Sequence, residues 1–159
     1  MMNHKNLLIA ALLFPIVGLA FLAGTKAYVS SLGKEFTLPV IGFDPRDLLS
    51  GHYIVYQIAF DIDDLCAEYN EPQAICLVDS GDHYASNSAT DCEYPLTGFC
   101  QGGRFQTGLE RFYIPQSEAL RLDAAVRKGE GSIVLSVTPS GANVVKALLI
   151  DGQSWRAED

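Results

Sequence analysis

The stretch Asp44-Pro45-Arg46-Asp47-Leu48-Leu49-Ser50-Gly51-His52-Tyr53-Ile54-Val55-Tyr56 decides how the rest of the chain is read. It has the composition of a capped helical turn, a glycine break and the start of a strand. Asp44 suits an N-cap, because its carboxylate accepts from backbone N–H groups that a helix start leaves free. Pro45, at the first helical position, lacks only an N–H that would have no partner there. Asp47 puts negative charge at the positive end of the helix dipole. Leu48 and Leu49 give the turn an apolar side, Ser50-Gly51 end it, and a β-branched and aromatic run follows.

Working outward, residues 53–62 alternate with period two. Ile54, Tyr56, Ile58, Phe60 and Ile62 share the face expected in the core, and Tyr53, Val55, Gln57 and Ala59 share the other. Upstream, residues 35–41 alternate in the same way through Phe36, Leu38 and Val40, with Pro39 pointing to an edge strand. Downstream, residues 98–103 are a glycine-rich bend into a strand over 105–114. Pro115-Gln116-Ser117 opens a helix over 118–128, with Ser117 as its cap. Ala119, Leu122, Ala125 and Val126 form its buried stripe, and Gly129 ends it. Strands at 132–138 and 143–150 flank a turn at Pro139-Ser140-Gly141, and Asp151-Gly152 turns the chain again toward Trp155. Five or six strands with one helix define an α+β, β-rich domain: a small, mostly antiparallel barrel or sandwich with the helix closing one end.

Three blocks of this sequence carry a resemblance. Asp44 to Tyr53 contains Gly51-His52-Tyr53, and Gly108-Leu109-Glu110-Arg111-Phe112-Tyr113-Ile114-Pro115 follows later. The closing Leu149-Ile150-Asp151-Gly152 completes the set. Together and in this order they resemble the GDYxxLxY domain family. Its members are small, usually membrane-anchored bacterial proteins of uncharacterised molecular function, often encoded beside a multi-pass membrane protein. The resemblance implies a binding or motif role for Asp44, Arg46, Asp47, Gly51, Tyr53, Glu110 and Arg111. His52 stands where the family has Asp, Tyr56 where it has Leu and Ile58 where it has Tyr; Gln116 follows the Pro where an acid is usual. An activity that depended on the name-giving Asp would be lost in this chain.

From Leu7 to Gly24 the chain has no charged residue, and with Thr25 it approaches the roughly 20 residues that cross a bilayer as helix. Pro15 is tolerated in such a helix. Thr25-Lys26-Ala27 is a passable cleavage site for a signal peptide, but the apolar run is longer than such segments usually are. An uncleaved anchor over 1–27, contacting lipid through 7–25, is the favoured reading. A linker over 28–34, a domain over 35–155 and a tail over 156–159 follow it. Cys66, Cys76, Cys92 and Cys100 all lie after the anchor, an even set expected to form two disulfides in an oxidising compartment. Three pairings are open, and nearest-neighbour pairing is only a default. No C-x-x-C occurs and His83 is the sole nearby imidazole, so no metal site is expected. The expected location is the bacterial inner (cytoplasmic) membrane, single-pass, with the C-terminal domain in the periplasm.

Residues 61–93 carry nine acids and neither Lys nor Arg. The expectation is a solvated acidic insertion stapled by disulfides, with a short strand at 74–78 and a loop at 79–89. Calcium is an alternative, although Asp61, Asp63 and Asp64 lack the glycine and distant Glu of an EF-hand loop. The formal charge of -8 argues against a nucleic-acid surface, which needs clustered cations. No catalytic residues stand out and no cofactor is implied. Glu110-Arg111 reads either as part of a binding groove or as an ion pair at a strand end, reaching Arg46 or Asp47. The leading expectation is a non-catalytic, membrane-anchored envelope protein that binds a multi-pass membrane protein. The competing one is a tethered periplasmic hydrolase using His52 with a nearby acid or hydroxyl.

Overall fold

A computed structural model describes residues 4–43, 53–66 and 71–156. The Asp44 to His52 part of the opening motif therefore lies outside the described residues, and with it the expected turn, its cap and His52.

A single helix, α1 (His4–Leu32), opens the chain and carries Pro15 within it. Eleven strands follow among the described residues: β1 (Lys34–Phe43), β2 (Tyr53–Ile58), β3 (Ala74–Cys76), β4 (Tyr84–Ser86), β5 (Pro95–Thr97), β6 (Phe99–Gln101), β7 (Arg104–Gln106), β8 (Arg111–Tyr113), β9 (Gly131–Val137), β10 (Asn143–Ile150) and β11 (Gln153–Ser154). A second helix, α2 (Ala119–Arg127), sits between β8 and β9. Six strands form the main sheet in the order β11-β10-β9-β1-β2-β8, every pairing antiparallel, and it curls into a half-barrel with α2 against it. A small β4-β3-β5 sheet and the β6–β7 hairpin complete the domain. The class is β-rich α+β, as the sequence pattern implies.

The alternating faces become the core. Phe36, Leu38 and Val40 of β1 are buried, as are Ile54, Tyr56 and Ile58 of β2 with Phe60 just beyond it. Ile133, Leu135 and Val137 of β9 meet them, and Leu122, Ala125 and Val126 of α2 close over the layer. Gly129 ends α2 in the left-handed region, where a residue without Cβ carries no steric penalty.

Pro39, expected to mark an edge, lies in an interior strand. β1 is long and changes partner at this residue: positions 34–39 pair with β9, and 40–43 pair with β2. The Pro39 carbonyl accepts from Ala59 N–H at 2.9 Å. An antiparallel residue points its N–H and C=O to one side, so the missing donor falls where the β2 ladder stops. No interior ladder bond is lost.

Several local expectations are corrected. Residues 28–34 are not an irregular linker, because α1 continues to Leu32 and β1 starts at Lys34. Ser117 does not cap α2: it lies inside a short 3-10 turn (Gln116–Glu118), and Glu118 precedes the helix without a side-chain cap bond. The strand expected over 105–114 is two strands, because Gly108 takes a φ of +80° and breaks the extended run between β7 and β8. The stretch 79–89, polar enough to read as loop, contains β4. The disulfides are Cys66–Cys100 and Cys76–Cys92, a nested pair rather than the nearest-neighbour default. Inside the acidic stretch every described acid is exposed, as expected of charges with water available. Yet Ala74, Ile75, Cys76 and Leu77 are buried, and Ile75 and Leu77 join the main core. The insertion is part of the folded body. His83 supports it locally: its Nδ1 accepts from Val78 N–H at 3.2 Å, which requires a neutral ring nitrogen.

Candidate functional site

The sheet brings the first and second motif blocks together. β2, which begins at Tyr53, pairs with β8 in the register Tyr53–Tyr113, Ile54–Phe112 and Val55–Arg111. Tyr56 N–H then donates to the Glu110 carbonyl at 3.1 Å. Beyond that bond no strand among the described residues pairs with this flank of β2. A 470 Å³ groove opens there, with Gln57, Arg104, Gln106, Glu110 and Arg111 on its walls. A second, 380 Å³ cavity shares Gln57, Arg104 and Phe105 with it and continues to Asp61 and Asp64.

Glu110 has a definite local task. Its Oε1 accepts from the Thr107 backbone N–H at 2.5 Å and from Thr107 Oγ1 at 2.9 Å, while Leu109 N–H donates to Thr107 Oγ1 at 3.3 Å. The carboxylate thus closes the 107–110 turn that Gly108 begins. Tyr56 fastens the same turn to the core, its hydroxyl donating to the Leu109 carbonyl at 2.5 Å. The neighbouring Arg111 is exposed on the groove wall. Of the expected site residues, then, Glu110 and Arg111 meet at a cavity beside the strand that Tyr53 starts. Asp44, Arg46, Asp47 and Gly51 lie outside the described residues, so an Arg46 or Asp47 partner for Glu110 or Arg111 is not described. Tyr56, Thr107 and Gln57 were not singled out by their sequence context as site residues. Tyr56 reads there as a core position, and the Thr-x-x-Glu spacing of 107 and 110 is the one local signal of the staple.

Burial, with the Glu110 carboxylate adding, raises the Tyr56 phenol above its ordinary pKa of 10.0. The folded state therefore holds this proton more tightly than the unfolded chain. Below pH 10.0 both states keep it and stability does not depend on it. Above that pH the unfolded chain ionises first, so stability falls as pH rises, by about 1.4 kcal/mol per pH unit. Replacing Tyr56 by Phe should cost about 1 kcal/mol at neutral pH through the lost hydrogen bond and should flatten the alkaline limb. Urea melts at pH 7 and at about pH 11 check this. An alkaline slope identical in Tyr56→Phe would show that another group sets it.

Chemically the groove offers one carboxylate, Glu110, two guanidinium groups and two side-chain amides, Gln57 and Gln106. Among the described residues it contains no nucleophile beside a base. Nor do any three His, Cys, Asp or Glu side chains there gather as metal ligands would, which gives the calcium reading no support.

Helix, sheet and groove define a class: a disulfide-bonded, β-rich domain carried on a helix whose Ala11–Leu32 segment is long and apolar enough to cross a membrane. The two disulfides point to an oxidising, extracytoplasmic setting for the domain. A family described as GDYXXLXY protein matches residues 15–148, and the chain belongs to it. No curated protein and no solved structure matches the chain.

Proposed function

We propose that the protein is a single-pass envelope protein of the bacterial inner membrane, whose non-catalytic periplasmic domain binds another integral membrane protein. The observation that carries this reading is the direct passage of an apolar, solvent-exposed helix into a disulfide-stapled sheet. Such a chain places a recognition domain at the membrane surface and gives it no room to act far from it. The groove beside Glu110 and Arg111 is the docking surface of this reading, with the motif residues Asp44, Arg46, Asp47, Gly51 and Tyr53 in the stretch of sequence that leads into β2. Its mix of guanidinium and carboxylate groups suits a polar extended segment of a partner rather than an apolar one.

Affinity purification of the full chain from a mild detergent tests the proposal. A stoichiometric integral membrane protein should be recovered, and Arg104→Glu, which reverses a cation on the groove wall, should lower its recovery at least tenfold. Recovery of the chain alone would overturn the reading.

A further inference from the structure

A second groove, of 760 Å³, lies between α1 and the turn joining β9 to β10. Phe21, Gly24, Thr25 and Tyr28 form its helical wall, and Thr138 and Pro139 stand on the turn opposite. The wall is held in place. Val29, the one buried apolar side chain among those described in α1, offers its carbonyl to two donors, Gly33 N–H at 3.0 Å and Ser136 Oγ at 2.8 Å. The residue after Gly33, Lys34, already pairs with Val137 of β9. On the other side of the turn, Lys26 Nζ donates to the Asn143 carbonyl at 3.5 Å. Helix and sheet therefore move as one piece, with no free linker between them.

This joint fixes a depth. The turn reaches back along α1 from Leu32 to Phe21, eleven positions, or about 16 Å at the helical rise. All of those helix positions belong to the Ala11–Leu32 segment that can cross a membrane. Resting on the anchored reading given above, we propose that this groove seats a phospholipid of the outer leaflet, its chain against Phe21 and its headgroup beside Tyr28 and the turn. Phe21 is 70% exposed, a cost in water that disappears against an acyl chain. The opposite wall is amphipathic: Thr138 Oγ1 and Ser140 Oγ lie 2.9 Å apart at the tip, where a headgroup would be. Lys26 brings the only cation between Lys5 and Lys34 to that level, suited to a lipid phosphate. A second transmembrane helix fits less well. Running along this face of α1 it would collide with the turn, whereas a lipid ends at that height.

Single-tryptophan fluorescence in vesicles tests the seat. The full chain carrying Trp155→Phe is reconstituted into phosphatidylethanolamine–phosphatidylglycerol vesicles whose acyl chains are brominated close to the headgroup. One probe is then added per variant: Phe21→Trp for the anchor, Pro139→Trp or Ala142→Trp for the turn, Leu120→Trp for the exposed side of α2. Bromine should reduce emission at least twofold for the turn probes and for Phe21→Trp, and leave Leu120→Trp unchanged. Quenching of Phe21→Trp with both turn probes unaffected overturns the lipid seat while the anchor stands. If the chain does not float with the vesicles, the anchor reading fails and the seat with it. Loss of turn-probe quenching as the protein-to-lipid ratio is raised would assign the groove to a second copy of the chain and overturn the lipid.

Discussion

Replacing Cys66 and Cys100 together by alanine should lower the unfolding midpoint of the domain by on the order of 15 °C. The bond joins positions 34 apart, so its loss returns to the unfolded chain a loop whose closure costs about 4 kcal/mol in conformational entropy. A domain of this size loses about 4 °C per kcal/mol. Cys76–Cys92 spans 16 positions, and by loop length alone its removal costs less, about 3 kcal/mol. Circular dichroism melts of the full chain in detergent measure the difference. Maleimide labelling of freshly isolated protein provides the companion result: no thiol should react before reduction and four should react after it. Four reactive thiols without reduction would remove both bonds, and with them the case for an oxidising compartment. A midpoint shift under about 3 °C for the Cys66/Cys100 variant would mean the nested loop is already held by packing.

The disulfides also show where sequence stops being informative. Four cysteines predict two bonds, but pairing is set by which strands become neighbours, and no local pattern encodes that. Cys66 meets Cys100 because the chain after β2 returns beside β6, and Cys76 meets Cys92 because β3 and the 3-10 turn at Ala89–Asp91 pack together. Local chemistry, in contrast, was legible. The alternation through Phe36, Leu38 and Val40 and through Ile54, Tyr56 and Ile58 is the buried face of two adjacent strands. The helical stripe Leu122, Ala125, Val126 is equally direct. Asp151-Gly152, both at positive φ, makes the two-residue turn between Ile150 and Gln153 that this dipeptide favours. What misled were residues whose meaning depends on a neighbour far along the chain. Pro39 signals an edge unless the strand changes partner at that point, and Gly108 signals a break only once Thr107 and Glu110 are seen to close a turn around it. The candidate site was half legible: Glu110 and Arg111 stand out as charges among aromatics, while the groove they line depends on β8 being shorter than β2.

The second large effect is expected at Gly33, where α1 passes into β1. A Cβ built there would stand 2.3 Å from Ser136 Oγ, 2.8 Å from the Val29 carbonyl oxygen and 3.0 Å from Val137 N. The hydroxyl could rotate away, but the two backbone atoms belong to different elements, the helix on one side and β9 on the other. Relief requires moving one against the other, which breaks the paired bonds on the Val29 carbonyl. Overpacking of this kind costs 1–3 kcal/mol, and loss of a buried hydrogen bond about 1 more, so Gly33→Val should destabilise the domain by about 3 kcal/mol. Gly24 and Gly18 are the controls, since nothing lies within 4 Å of a Cβ at either, and alanine there should leave the melt unchanged. The decisive comparison joins stability to orientation. In brominated vesicles, Gly33→Val should also unseat the 138–142 turn, so that Pro139→Trp loses its quenching while Phe21→Trp keeps it. A variant that melts like the parent and keeps both signals would show that helix and sheet accept a side chain between them. The joint would then be slack, and the domain's height above the membrane would have to be set by something other than Val29, Gly33 and Ser136.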